Sequence, residues 1–210
     1  MRRCSHQTHV RIIEAAHVMF WRHGFVRASL DDIAAQAGIT KRTLYQHFRS
    51  KDDLMAAVLL QASELSVARL RRYFEQPYAT PIALLEAIFS DMAQWAAKPR
   101  WMGAGFTRVA IELADLPGHP ARAVAQRHKQ TVERHLAQLL ERAGVPDVED
   151  RAREIMLLWE GALTLTLIHA DRRYIGAAAE AAKRLVAGAG VALSRPPEPA
   201  AGDRAAAVRR

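Results

Sequence analysis

The sequence predicts an all-α fold, and three observations carry that expectation. Apolar residues recur at helical spacing, as in Ile12, Ile13, Ala16, Met19 and Phe20. Hydroxyl caps that open helices stand at Ser29, Thr40, Ser50 and Thr80. Glycines or prolines stand where the same helices must stop, at Gly24, Gly38, Pro77, Pro99 and Gly144. About nine helices and no strands are expected.

The first helix is expected from about Thr8 to His23, closed by Gly24. Ser29 then caps a short second helix, whose positive end suits Asp31 and Asp32. Ile33 and the small Ala34 and Ala37 face inward and let another helix cross closely. Gly38 fits the left-handed position that ends a helix, Ile39 plugs the corner, and Thr40 caps a third helix over Lys41 to His47. Ser50, with Asp53 at the capping-box position, opens a long fourth helix with Leu54, Val58, Leu65 and Tyr73 on its inner face.

Thr80-Pro81 opens a fifth helix to about Ala97, because proline is tolerated at a first helical position. A sixth covers Met102 to Ala114 before the break at Leu116-Pro117-Gly118. His119-Pro120 opens a long helix to Ala143, and Pro146-Asp147 opens another to about Ala170. A connector at Arg172 to Tyr174 leads to a last helix ending near Leu193. From Arg195 the composition of Pro, Ala, Gly and Arg suggests a disordered tail.

Charge is unevenly placed along the 210 residues. Residues 1–51 hold 9 Lys/Arg against 3 Asp/Glu, residues 52–194 hold 17 of each, and residues 195–210 hold 4 against 2. The expected organisation follows: a basic head over 1–51 with an arm at 1–8, a helical domain over 52–194, and a tail over 195–210. No uncharged run reaches the ~18 apolar residues of a membrane span. The N-terminus lacks the apolar centre of a signal peptide, and a single cysteine, Cys4, excludes an internal disulfide framework. A cytoplasmic location is the expectation.

Ser29 to Lys51 is helix-turn-helix grammar, in which the second helix enters the major groove with its N-terminal residues at base edges. Lys41, Arg42 and Thr43 occupy those positions. Arginine can bind guanine O6 and N7 with both arms, lysine reaches the same atoms singly, and the threonine methyl suits a thymine methyl. Ser50 and Lys51 lie at a helix N-terminus, where free N–H groups attract an anion. Ser29 is a cap with a possible further contact to phosphate.

Phe20, Gly24 and Ser29, then Asp32-Ile33-Ala34, Ala37-Gly38-Ile39-Thr40, Thr43-Leu44-Tyr45, His47-Phe48, Ser50-Lys51 and Leu54 together make a specific array. Over about Val10 to Leu60 the chain resembles the TetR/AcrR family of transcriptional regulators. Arg42 departs from the pattern, since many relatives have a small residue there. The resemblance implies that Thr40, Tyr45 and His47 contact phosphate oxygens. It also implies a homodimer on a near-palindromic operator, paired through two long helices near the C-terminus. The stripe Val124, His128, Val132, His135 and Leu139 on one helix, with Ala162 and Thr166 on the next, is the expected interface. Gly161 there would permit close backbone approach.

The resemblance further implies a small-molecule effector in the second domain. Phe89, Met92, Trp95, Trp101, Phe106 and Trp159 are the apolar candidates, with Arg108, Thr107, Thr164 and His169 as polar ones. Arg108 has an alternative partner in Glu112, one turn on. The expected function is a sequence-specific, ligand-responsive transcriptional regulator, a repressor rather than an activator, with no cofactor.

Two other classes stay open at this point. A sequence-indifferent architectural DNA binder would share the basic head. An enzyme would need chemistry the chain does not advertise: there is no Gly-rich phosphate loop, His-Glu-x-x-His or G-x-S-x-G. Cys4, His6 and His9 are the best metal-ligand grouping but lack a clear fourth ligand. His128 and His135 stand two turns apart, too far to share one metal within a chain.

Overall fold

The computed structural model describes residues 2–99 and 101–187, with side chains from Ser5 onward. Nine α-helices and one 3-10 turn make up the described residues: α1 Arg2–His23, α2 Leu30–Gln36, α3 Lys41–His47, α4 Lys51–Arg71 with a 3-10 turn over Arg72–Phe74, α5 Pro81–Ala96, α6 Gly105–Glu112, α7 Pro120–Arg142, α8 Val148–His169 and α9 Arg173–Ala187. The expected end of the last helix and the 195–210 tail lie outside the described residues.

Local chemistry sets most of these boundaries. Ser29, Thr40, Ser50 and Thr80 each accept the N–H of the residue three positions on. Each such cap is worth about 1 kcal/mol. Asp53 answers Ser50 by accepting the Arg49 N–H, which completes the capping box. Gly24 and Gly38 take φ of 95° and 63°, where a side chain would be strained. His119 caps α7 with its ring, Nδ1 accepting the Ala121 N–H at 3.1 Å.

Some expectations shift. Helix α1 starts at Arg2, about two turns before Thr8, so the expected arm at 1–8 is largely helical along its described backbone. Helix α6 is shorter than Met102–Ala114, because residues 101–104 run as coil into Gly105. Leu65 is exposed rather than inward: α4 buries Leu54, Met55, Val58 and Leu59 at its N-terminal half and Leu70 near its end, leaving the middle open. Asp147 opens α8 in the left-handed conformation without a side-chain cap.

Two cores result. The first joins Ile12, Phe20, Phe25, Ile33, Leu44 and Leu54 to Phe106, Val109 and Leu113 of α6 and to Ala121, Val124 and Ala125 of α7. It therefore crosses residue 51/52. The second joins α5, α8 and α9 with the C-terminal half of α7, around Leu84, Leu85, Ile88, Leu140 and Ile155. Full burial of each such side chain contributes about 1.5–3 kcal/mol. Helix α4 leans along α7 and so spans from the first core toward the second.

Candidate nucleic-acid interface and its link to the second core

Helices α2 and α3 are fixed by the buried corner Ile33, Ala34, Ala37 and Leu44, which leaves the opposite face of α3 open. Lys41, Arg42 and Tyr45 are exposed on it, and Thr43 and His47 are half-buried. Tyr45 keeps 48% of its surface in solvent, so it is not serving as a core residue. Lys41 Nζ donates to Asp31 at 2.9 Å, and this contact holds its ammonium above the ordinary lysine range. Thr40 and Thr43 hydroxyls meet at 2.9 Å, and Ser29 Oγ donates to Asp32 at 2.6 Å. The Ser29 and Thr40 hydroxyls are thus committed to helix ends as well as facing outward.

Lys51 also makes a contact within the chain. Its Nζ donates to the Val26 carbonyl at 2.5 Å, and burial pushes its ammonium below the ordinary range. Two of its three N–H donors remain for another acceptor. The side chain ties α4 to the loop after α1. Arg11 plays a matching part at the corner, donating to the Ala37 and Gly38 carbonyls at the end of α2. Neither contact is legible in the sequence, because the partners are backbone oxygens 25 to 27 residues away.

The head is fastened to the rest of the chain through α6 and α7. Arg108 Nε donates to Glu112 at 2.6 Å, and its Nη1 donates to the Trp21 carbonyl at 2.8 Å. Glu112 also accepts the Val26 N–H at 3.0 Å. Arg108, expected as an effector contact, instead bridges α6 to the end of α1, so its alternative partner Glu112 holds it. From α7, His119 Nε2 stands 3.2 Å from Asp52 at the start of α4. With Nδ1 occupied by the Ala121 N–H, the ring proton sits on Nε2 and donates to that carboxylate.

The expected effector residues divide between the cores. Phe89, Met92, Trp95, Trp101 and Trp159 gather in the second, with Phe89 against Trp159 at 6.3 Å and Trp95 against Trp101 at 5.6 Å. Phe106 does not join them; it stacks on His128 at 3.7 Å at the edge of the first core. His169 is exposed and stacks on Tyr174. Thr107 donates to Glu160 at 2.5 Å, and Lys129 pairs with the same carboxylate. Thr164 faces solvent.

The α7 stripe is a correction. Val124, His128, Val132 and Leu139 are buried inside their own chain, and His135 is half-buried against Phe74. Helix spacing identified a face that needs covering, and α4 and α8 cover it. Ala162 and Thr166 are buried as well, on the side of α8 that joins the second core. The uncovered side of α8 carries Leu157, Gly161, Thr164 and Ile168 at successive turns, with Leu157 71% and Ile168 67% exposed.

Among the described residues no three His, Cys, Asp or Glu side chains are placed to hold a metal ion; the Cys4 side chain lies outside them. No helix described is long and apolar enough to cross a membrane.

Comparison with known proteins agrees with this architecture. The family model for bacterial regulatory proteins of the tetR family matches residues 12–58. The chain is similar to the HTH-type transcriptional regulator UidR of Escherichia coli, 41% identical over 68 residues, covering 32% of this chain and 35% of that protein. It thus spans about a third of that relative's length. It is also similar to the uncharacterized HTH-type transcriptional regulator TtgW of Pseudomonas putida, 33% identical over 94 residues, covering 42% of this chain and 68% of the other. A tetR-type transcriptional regulator from Streptomyces avermitilis has a similar structure, with a TM-score of 0.69 and 30% identity over 83% of this chain and 97% of that one. The chain belongs to the tetR family of bacterial regulatory proteins. These relatives are transcription regulators, not enzymes.

Proposed function

We propose that this chain is a sequence-specific DNA-binding repressor that acts as a homodimer on a near-palindromic operator and responds to a small-molecule effector. The observation that carries the reading is the open face of α3. It presents Arg42, Tyr45 and the Asp31-paired Lys41 to solvent on a head whose first 51 residues carry a net charge of +6. Arg42 is the base reader, Tyr45 fixes register on the backbone, and Thr40 and His47 flank it.

The second copy is argued from α8. Large exposed apolar side chains on one helix side mark an interaction surface, and Leu157 and Ile168 stand open on the same side of α8 with the small Gly161 and Thr164 between them. A Cβ at Gly161 or at Gly176 of α9 would meet nothing in its own chain, which leaves room for a partner backbone to approach. Two heads joined this way would read half-sites about one helical turn apart. The effector is argued from the aromatic cluster Phe89, Trp95, Trp101 and Trp159, whose large apolar rings suit a lipophilic molecule.

The test is a titration on DNA recovered by selection from random oligonucleotides and on a scrambled copy, at two salt concentrations. Tyr45→Ala is expected to weaken binding to both, and Arg42→Ala to narrow the gap between them. Wild-type affinity equal on both sequences would leave the sequence-indifferent architectural binder as the better reading.

A further inference from the structure

At the outer edge of the head, α1 and α3 bring imidazoles together. The His9 ring stacks on Phe48 at 4.9 Å and lies 5.9 Å from the ring of His47, in the last turn of α3. His6 precedes His9 by one turn and is exposed. The early start of α1 adds His6 to this edge on the same helix.

The groups facing His9 are His6 from its own helix, His47 from α3 and the neutral ring of Phe48. Among the described residues, no hydrogen bond or ion pair joins His9 or His47 to a carboxylate. Burial first, then the neighbouring His47 and His6, hold His9 below the usual histidine range. The His9 ring is therefore uncharged at neutral pH, although this edge lies two residues beyond Tyr45 and beside the capped start of α4. A phosphate placed there reverses the balance, since an anion favours the imidazolium that neighbouring imidazoles disfavour.

We propose that His9, stacked on Phe48 beside His47, is a proton-linked phosphate contact, so that DNA binding takes up a proton at this edge and tightens on mild acidification. The proposal rests on the reading of the chain as a DNA binder and adds a regulatory input separate from the effector. The ligand chemistry is a phosphodiester anion, and sequence plays no part in it.

The experiment measures affinity for a fluorescein-labelled, random-sequence duplex of ~30 base pairs at constant ionic strength, from about pH 8 to about pH 6. The dissociation constant is expected to fall roughly 3- to 10-fold over that range, because one proton taken up over only part of it contributes a mean slope of about a quarter to a half in log Kd against pH. His9→Gln flattens the slope. His23→Gln, at the far end of α1, retains it. Calorimetry of the wild-type protein in two buffers of different ionisation enthalpy counts the protons directly, and a count of zero overturns the proposal whatever the variants do. A slope unchanged in His9→Gln also overturns it. Absence of binding at every pH removes the DNA-binding reading itself, an outcome distinct from binding that ignores pH.

Discussion

Gly105 lets the indole of Trp21 lie directly on the first turn of α6: a Cβ there would overlap the six-membered ring. The contact joins residues 84 positions apart and sits beside the Arg108 bond to the Trp21 carbonyl and the Glu112 bond to the Val26 N–H. Helix α6 is thereby anchored at three successive points, two on Trp21 near the end of α1 and one on Val26 in the loop after it. An effector that shifts α6 would pull on the head through them, provided it binds the two arrangements with different affinity.

Gly105→Ala is expected to destabilise the chain by about 1–3 kcal/mol, the usual range for forcing a methyl into a packed site. In a Trp21→Ala background the same change should cost much less, because the overlapping ring is gone. A double-mutant cycle from urea denaturation measures this, and additive losses would show that the two residues do not meet.

Glu112→Gln should lower stability by about 1–3 kcal/mol, since it removes the charge that Arg108 faces in a partly buried pair. The Val26 N–H keeps an acceptor in the amide oxygen, so the loss reports on the arginine. Arg108→Met combined with Glu112→Gln should restore most of it, because no unpaired guanidinium remains and the Val26 N–H keeps its acceptor. A double variant as unstable as the single would show that the loss does not come from an unpaired Arg108.

His128 gives the protein an acid limb. Burial, reinforced by Lys129 and opposed by Glu160, pushes the ring down to about 4, while Ser63 bonds its Nδ1 at 2.9 Å. The folded value lies below the ordinary 6.5. The unfolded chain therefore binds the extra proton over that window. The stabilisation is present in full above about pH 6.5 and is lost as pH falls toward 4. Comparing melting temperatures at about pH 7 and about pH 5, the wild type should fall further than His128→Leu. Equal drops in the two proteins would place the acid sensitivity elsewhere.

Leu157→Arg or Ile168→Arg should leave a folded monomer, because the open face of α8 is separate from both cores. Sedimentation and circular dichroism together check this. The corresponding change at Val132 should instead unfold the chain, since Val132 is already buried in the second core. A Leu157→Arg protein that still sediments as a dimer would move the interface away from α8.

The head was legible because its signals are local. Ser29, Thr40 and Ser50 each act on an N–H three residues away, and Gly38 supplies its own turn. The exposed face of α3 followed from the same spacing that buried Leu44. The candidate effector and dimer residues were less legible. Arg108 could pair forward on its helix, reach back to α1 or enter a cavity, and composition does not rank these. Periodicity in α7 marked Val124, His128, Val132 and Leu139 as a single face without saying which helix would cover it.

From the sequence alone came the helices, their hydroxyl caps, the basic head and the exposed face of α3, because backbone capping and helical period operate over a few residues. Tertiary structure decided which faces stay wet. Phe106 went to His128, Arg108 to Trp21 and Lys51 to Val26, and α4 closed over α7 while the outer side of α8 stayed open. Those outcomes depend on partners brought together across tens of residues, where volume and hydrogen-bond geometry select among neighbours that are chemically alike.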